Sequence, residues 1–384
     1  MRNVVENLVI GGGPAGSMLA ARLAAAGREV VLLEKERTAH DKVCGEFLSP
    51  EAVEYLEQLG IRPRELGANS IERVCMHAGR STTEAKLPFT AMSLSRRVMD
   101  EAMLTKAATA GCELRRGMFV ERVEAAGGGW LVRSRGGESI AAKAVFLATG
   151  KHELNGCERV NGVQCDLVGF KMHWGLARTQ TESLREVMRL YLFRGGYGGM
   201  SLVEGETANL CFVVKQRRLR ELGGWTNLVE AIFDEVPGIR VRLHDAVPCW
   251  TKPLAISPIP YGHLARAADG IWRVGDQAVV IPSFTGDGMS IAMHSAALAA
   301  GMCLEGRSAD EYLRRLKQQL QSGMRFASNL SQMMVTPAGR MAAPAAFSLF
   351  PSAMQWIAAS TRIPERALLR TQAPGTPACI GPAH

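Results

Sequence analysis

The stretch Asn7-Leu8-Val9-Ile10-Gly11-Gly12-Gly13-Pro14-Ala15-Gly16-Ser17 decides the fold. Leu8, Val9 and Ile10 form an apolar run that reads as the end of a buried strand. Gly11, Gly13 and Gly16 then spell G-x-G-x-x-G. Residues 17–26 are rich in Ala and Leu and predict a helix, stopped by Gly27. Residues 30–33 predict a second buried strand with Glu34 at its end. In this order each glycine has a physical task. Gly11 permits the tight turn, Gly13 lets backbone approach a pyrophosphate, and Gly16 lets the helix pack on the strand. The free N–H groups of the helix start then face the phosphates, and Glu34 is placed to accept hydrogen bonds from ribose hydroxyls. The unit is a dinucleotide site that by itself leaves NAD and FAD open.

Working outward, residues 50–59 and 96–110 predict helices, with Pro50 suited to a first turn and Gly60 and Gly111 at the exits. Residues 71–77 and 82–87 predict strands, as do four short segments between 114 and 142. Residues 143–149 form a hydrophobic middle strand ending at Gly150. Segments 164–178, 187–193 and 208–214 alternate as strands of a separate antiparallel sheet. The run Gly195-Gly196-Tyr197-Gly198-Gly199 reads as a hairpin, either a plain turn or a cover over a ligand's face. Helices are expected at 228–235, from Gly286 to Leu304, and at 310–320.

A late segment chooses between the dinucleotides. Trp272-Arg273-Val274-Gly275-Asp276 precedes Ile281-Pro282-Ser283-Phe284-Thr285-Gly286-Asp287-Gly288-Met289 and an Ala-rich helix. This resembles the second FAD motif of flavoprotein hydroxylases and geranylgeranyl reductases. The resemblance implies that the Asp276 carboxylate holds a ribityl hydroxyl. It also implies that Gly286, Gly288 and Met289 bring backbone N–H groups beside the flavin N1–C2=O edge, where negative charge develops on reduction. Leu94-Ser95-Arg96, with Met99-Asp100, is similar to the same family's Arg-x-x-Leu-Asp helix start, which makes Arg96 a pyrophosphate or ribose contact and Arg97 its rival. Lys42-Val43-Cys44-Gly45-Glu46 resembles the Lys-x-Cys-Gly-Gly segment of geranylgeranyl reductases, which lies against the isoalloxazine; here Glu46 stands where that segment has its second glycine. With Ala15, Lys35, Val120 and Gly150, these residues complete the expected FAD-contacting set.

The implied fold is α/β: a glutathione-reductase-type FAD-binding domain with an inserted antiparallel substrate sheet and a helical C-terminus. The FAD domain is expected from 1–70, 92–163 and 268–306, the substrate domain from 71–91 and 164–267, and the helical region over 307–384. The function favoured is an FAD-dependent monooxygenase or oxidase acting on a small apolar organic substrate in specialised metabolism, reduced by NAD(P)H or a partner reductase. A geranylgeranyl-reductase-like ene reductase or dehydrogenase is the rival, supported by Cys44-Gly45 and by departures from the hydroxylases. Where aromatic hydroxylases carry Ala-Asp-Gly, this chain has Ala148-Thr149-Gly150-Lys151-His152, and it has neither a second G-x-G-x-x-G nor the paired-Trp motif of tryptophan halogenases. A non-catalytic flavin-binding redox partner is the alternative of another class. Cys44 and His173 are the catalytic candidates; Lys151, His152 and Lys171 are further polar residues near strand ends.

Composition removes other classes. The 384 residues carry 45 Lys and Arg against 37 Asp and Glu, a net charge of +8, yet the basic residues are scattered with no aromatic-interleaved block, so no nucleic-acid partner is expected. Nine cysteines, an odd number with no C-x-x-C, argue against a disulfide framework or a zinc site and for a reducing, cytoplasmic setting. No signal peptide is expected before the first strand, and no apolar run reaches membrane-spanning length. The nearest is 341–361, broken by Pro344 and Pro351. Its Phe347, Leu349, Phe350, Met354, Trp356 and Ile357 are expected to pack on the protein, with peripheral contact to a bilayer as the alternative.

Overall fold

The computed structural model describes residues 4–159, 162–266, 269–336, 338–339 and 351–370. In chain order, β1 (Val5–Ile10) leads through α1 (Pro14–Ala25) to β2 (Val30–Glu34). Then come β3 (Phe47–Leu48), α2 (Pro50–Gln58), β4 (Asn69–Ala78), β5 (Ser81–Ser93) and α3 (Arg96–Thr109). β6 (Glu113–Arg116), β7 (Val120–Ala126), β8 (Gly129–Ser134) and β9 (Ser139–Leu147) follow. Next are β10 (Leu167–Gly175), α4 (Arg178–Glu182), β11 (Glu186–Phe193), β12 (Gly196–Leu202) and β13 (Ala208–Lys215). Three short helices, α5 (Gln216–Glu221), α6 (Trp225–Glu235) and α7 (Pro237–Arg242), precede β14 (Val247–Pro248), β15 (Leu254–Ile256), β16 (His263–Leu264), β17 (Trp272–Arg273) and β18 (Val279–Val280). The chain closes with α8 (Gly288–Leu304), α9 (Ala309–Met334) and α10 (Pro351–Ser360).

The first sheet runs β6-β2-β1-β9-β8-β7, with β17 also paired to β9. β1 is parallel to both β2 and β9, with Leu8 opposite Val31 and Val145. A strand covered on both faces should be apolar throughout, and Leu8 and Val9 are fully buried. α1 packs against α3 and α8 on one face of this sheet. The turn between β1 and α1 tolerates only glycine at two points. Gly11 has φ +108°, and a Cβ there would lie 2.5 Å from the Ala148 carbonyl oxygen; a Cβ on Gly16 would lie 1.9 Å from the Gly11 oxygen. Gly275 abuts the same turn, since a Cβ on it would meet Ala15 Cβ at 2.9 Å. The architecture is a mixed α/β fold with a Rossmann-like dinucleotide domain.

The second sheet runs β14-β10-β13-β12-β11-β4-β5-β3, with β15 paired to β10. Its pairs are antiparallel except β11 with β4. One face is buried under α6 and α7, where Leu228, Ile232 and Ile239 join Phe170, Tyr191 and Phe212 in one apolar cluster. The other face turns Lys171 and His173 of β10 toward the loop that carries Cys44 and Glu46.

Three boundaries differ from the sequence reading. The strand expected over 164–178 ends at Gly175, and Arg178 opens α4. The glycine run at 195–199 is mostly strand: Gly195 takes the turn at φ +69°, and Gly196, Gly198 and Gly199 belong to β12. The helix expected at 310–320 continues to Met334, after a start fixed by a Ser308–Glu311 capping box. No described helix is long and apolar enough to cross a membrane. Of the apolar tail residues, Phe347, Leu349 and Phe350 lie outside the described residues, as does the Met354 side chain. Trp356 is 61% exposed and meets Phe326 edge-on at 5.1 Å.

Candidate functional site

The β1–α1 turn presents bare backbone. Gly13 occupies the N-cap of α1 and Pro14 its first turn, and no side chain caps the helix amides. A Cβ on Gly13 would meet only Arg96 Nη2, at 3.5 Å. Glu34 is buried, and its carboxylate already accepts from Gly12 N–H at 2.7 Å and Glu36 N–H at 3.0 Å. These two bonds leave lone pairs on both oxygens for a ribose. A cleft beside it is lined by Gly12, Glu34, Lys42, Arg97, Asp100 and Arg116. The two arginines thus divide: Arg97 lines the cleft beside Glu34, and Arg96 stands over the turn. Arg96 is fixed there by a bidentate pair with Asp100, at 2.7 and 2.8 Å, and Lys42 bonds the same carboxylate at 2.9 Å. Burial alone would raise the Asp100 carboxyl, but Arg96 and Lys42 outweigh it and hold the group below its ordinary value.

The late motif closes the other side. Lys151 Nζ donates to Asp276 at 2.9 Å, and both side chains stay about a quarter exposed, at 26% and 22%. Gln277 donates from its amide to the Gly150 and His152 carbonyls, both at 2.9 Å, stitching this segment to the end of β9. Gly150 has φ +64°, and a Cβ on Gly45, Gly150 or Gly288 would enter open space. Backbone without side-chain cover at Gly13, Gly45, Gly150 and Gly288, a part-exposed Asp276 and an uncapped α1 fit a flavin dinucleotide.

Of the remaining sequence candidates, Ala15 and Met289 are buried beside the turn and in α8. Gly286 holds φ +75° against Phe47. Val120 is buried at the start of β7 within the first sheet's apolar cluster. Lys35 is exposed, 3.8 Å from Glu36 and 3.4 Å from His152.

A charged cluster behind the Cys44 loop joins two catalytic candidates to residues the sequence reading did not connect. Glu46, at φ +57°, is fully buried. Its carboxylate accepts from Lys171 Nζ in a short contact, from His173 Nε2 at 2.9 Å and from Arg96 N–H at 2.8 Å. Lys171 is also fully buried and reaches Asp41 at 3.5 Å; Trp250 stacks on the His173 ring at 4.9 Å. Burial pushes the Glu46 carboxyl up, yet His173 and Lys171 overcome this and leave it below the usual range. Asp41, Glu46 and His173 have the spacing of a metal site. The Lys171 ammonium, however, takes both carboxylates and makes the cluster a proton-holding ion pair. Cys44 is half-buried; its sulfur accepts from Glu46 N–H at 3.3 Å, and its carbonyl accepts from Asn209 Nδ2 at 3.1 Å. The one signal in the sequence was Glu46 itself, a carboxylate where the resembled segment has glycine.

The FAD binding domain family matches residues 4–148. Digeranylgeranylglycerophospholipid reductase of Methanocaldococcus jannaschii is 25% identical over 364 residues, covering 87% of this chain and 88% of its own. Flavin-dependent brominase Bmp2 superposes with a TM-score of 0.76 at 15% identity, covering 96% of each chain. The myxobacterial chondrochloren halogenase CndH gives 0.75 at 19% identity, covering 95% of each. With the turn, the Gly275-Asp276 segment and the open cradle between them, these likenesses make the chain an FAD-dependent oxidoreductase, similar in sequence to the geranylgeranyl reductases and in fold to the flavin-dependent halogenases.

Proposed function

We propose that the protein is a reductase of an apolar, unsaturated organic substrate, with isoprenoid-chain lipids the first class to try. The observation that carries this reading is the end-to-end likeness to a digeranylgeranylglycerophospholipid reductase, over 87% of this chain. The Lys42–Glu46 segment supports it: its sequence resembles those reductases, and a buried acid–base cluster holds it in place. In this reading the first sheet with β17 and α8 is a discontinuous glutathione-reductase-type FAD domain, the second sheet is the substrate domain, and α9 with α10 forms the helical C-terminal region.

FAD supplies the hydride chemistry when bound. The chain's residues bind and orient. Gly13 and Arg96 take the pyrophosphate, Glu34 the ribose, and Asp276 with Lys151 the ribityl chain. Reducing a carbon–carbon double bond consumes one proton for each hydride. The ion pair of Lys171 with Glu46, bonded to His173, keeps protons in a water-poor setting beside Cys44. NAD(P)H or a partner reductase is the electron donor, and the cytoplasm the setting.

A second reading, a monooxygenase or oxidase of specialised metabolism, is favoured by the shared architecture with the brominase and the halogenase. One experiment divides them. Holoenzyme is photoreduced without oxygen and mixed with a geranylgeranyl-chain lipid or menaquinone. Bleached flavin absorbance that returns under argon, with a saturated product by mass spectrometry, supports the reductase. A turnover that needs oxygen and places labelled oxygen in the product would replace it with the monooxygenase.

A further inference from the structure

An aspartate at the N-cap of a helix ordinarily turns its carboxylate onto the helix's own free amides. Asp287 is the N-cap of α8, held at φ −92° and ψ 0°, and its side chain makes no such bond. Its Oδ2 instead accepts from Thr361 Oγ1, at 2.8 Å. Thr361 begins a segment, residues 361–370, that is tied down along its length. Arg362 forms a two-point ion pair with Glu51 of α2, with its guanidinium 4.0 Å over the Phe89 ring. Gln58 donates to the Leu369 carbonyl at 3.0 Å, and Leu369 N–H donates to the Tyr55 hydroxyl at 3.2 Å, which is itself bonded to His294 of α8 at 2.7 Å. Arg370 reaches Glu54 at 3.1 Å. Asp287 is 1% exposed under this cover, whereas Gly288 beside it opens onto free space.

We propose that residues 361–370 are a clasp whose Thr361 holds Asp287 off the amino end of α8, keeping those amides free for the flavin. Asp287 and Thr361 are positioning residues, and the proposal holds for either reading of the chemistry, because it concerns FAD alone. Were the Thr361 bond lost, the carboxyl would swing back onto its own helix and compete with the flavin for the same N–H groups. The surroundings of Asp287 favour the held state. Burial pushes its carboxyl up to about 7, offset in part by Thr361, by the Arg362 charge and by Thr285, while the Glu51 charge pushes the same way as burial. Near neutrality much of the group therefore carries no charge to set against the helix end.

The test follows FAD release from holoenzyme on dilution, by recovery of flavin fluorescence, together with the midpoint potential. Thr361→Val should weaken FAD about tenfold, the fold-change that a cap of about 1.4 kcal/mol gives, and lower the potential. Thr361→Ser, which keeps the hydroxyl, should match the parent protein. The double variant Thr361→Val/Asp287→Ala should hold FAD as tightly as Asp287→Ala alone, since no carboxyl is left to swing back; Thr361→Ala replaces the valine in both if valine prevents folding. Parent-like affinity and potential in Thr361→Val would overturn the proposal. So would a double variant as weak as Thr361→Val, which would mark Thr361 as mere packing.

Discussion

Replacing Glu46 by glutamine puts the site's internal electrostatics to the test. The carboxylate has no solvent exposure and serves three donors: Lys171 Nζ, His173 Nε2 and Arg96 N–H. Glutamine keeps the shape and one acceptor oxygen but removes the charge. Lys171, equally buried, is then left with Asp41 at 3.5 Å as its one carboxylate among the described residues. Removing one partner of a buried pair costs about 3–5 kcal/mol, because the other charge stays in a medium that solvates it poorly. Glu46→Gln should therefore lose about 3–5 kcal/mol in urea unfolding at pH 7. Lys171→Met should lose a similar amount, and the double variant distinctly less than the sum, because neither charge is then stranded. The pH profile carries a sign. The Glu46 carboxyl lies lower in the folded chain than in the unfolded one, so its contribution is complete above the unfolded value, about 4.3, and drains away as pH falls through the folded value. The stability curves of parent and Glu46→Gln should thus separate at neutral pH and converge in acid. A loss below about 1 kcal/mol, strict additivity in the double variant, or curves that stay parallel into acid would refute the buried-pair account.

Three further outcomes are expected. Gly13→Val should abolish FAD binding while the chain still folds, because the side chain enters the space the pyrophosphate needs and its Cβ meets only the end of the Arg96 side chain; gel filtration with absorbance at the flavin band checks both. Asp276→Ala should weaken FAD by about tenfold, the loss of a charged hydrogen bond of about 1.5–3 kcal/mol with some compensation by water, read as a dissociation constant by fluorescence quenching. Acid precipitation should leave yellow FAD in the supernatant, since no residue stands in a recognisable flavin-attachment motif; flavin retained in the pellet would identify a covalent bond.

The sequence was most legible where a function is built from consecutive residues. From Leu8 to Glu34 the strand, turn, helix and acid follow one another, and the physical need for glycine at 11 and 16 is met within the same loop or by the adjoining strand. Gly275-Asp276 was singled out by its own consecutive residues; its partner Lys151, 125 positions away past the end of β9, was not. Glu46 and its partners show the opposite case. Lys171 and His173 are 125 and 127 positions away, so only the closed second sheet against the Cys44 loop makes them neighbours. Nothing local to β10 distinguishes a lysine that will be fully buried from one that will be solvated.

The glycine run read as a hairpin forms one, turning at Arg194-Gly195, but the glycines beyond the turn answer to packing. Gly196 and Gly198 look like turn residues, but they sit in β12 because a Cβ there would strike the Val213 carbonyl at 2.2 Å and Phe212 Cβ at 2.7 Å. Gly323, beyond the helix end expected at 320, lies inside α9, and a Cβ there would sit in ordinary contact with the Thr361 carbonyl oxygen at 3.4 Å, so its neighbours do not require glycine. Glycine in this chain therefore carries two different messages. At positions 11, 275 and 286 it answers to backbone dihedrals, and a local pattern finds it. At 196 and 198 it answers to a neighbour's approach, and only the assembled fold explains it.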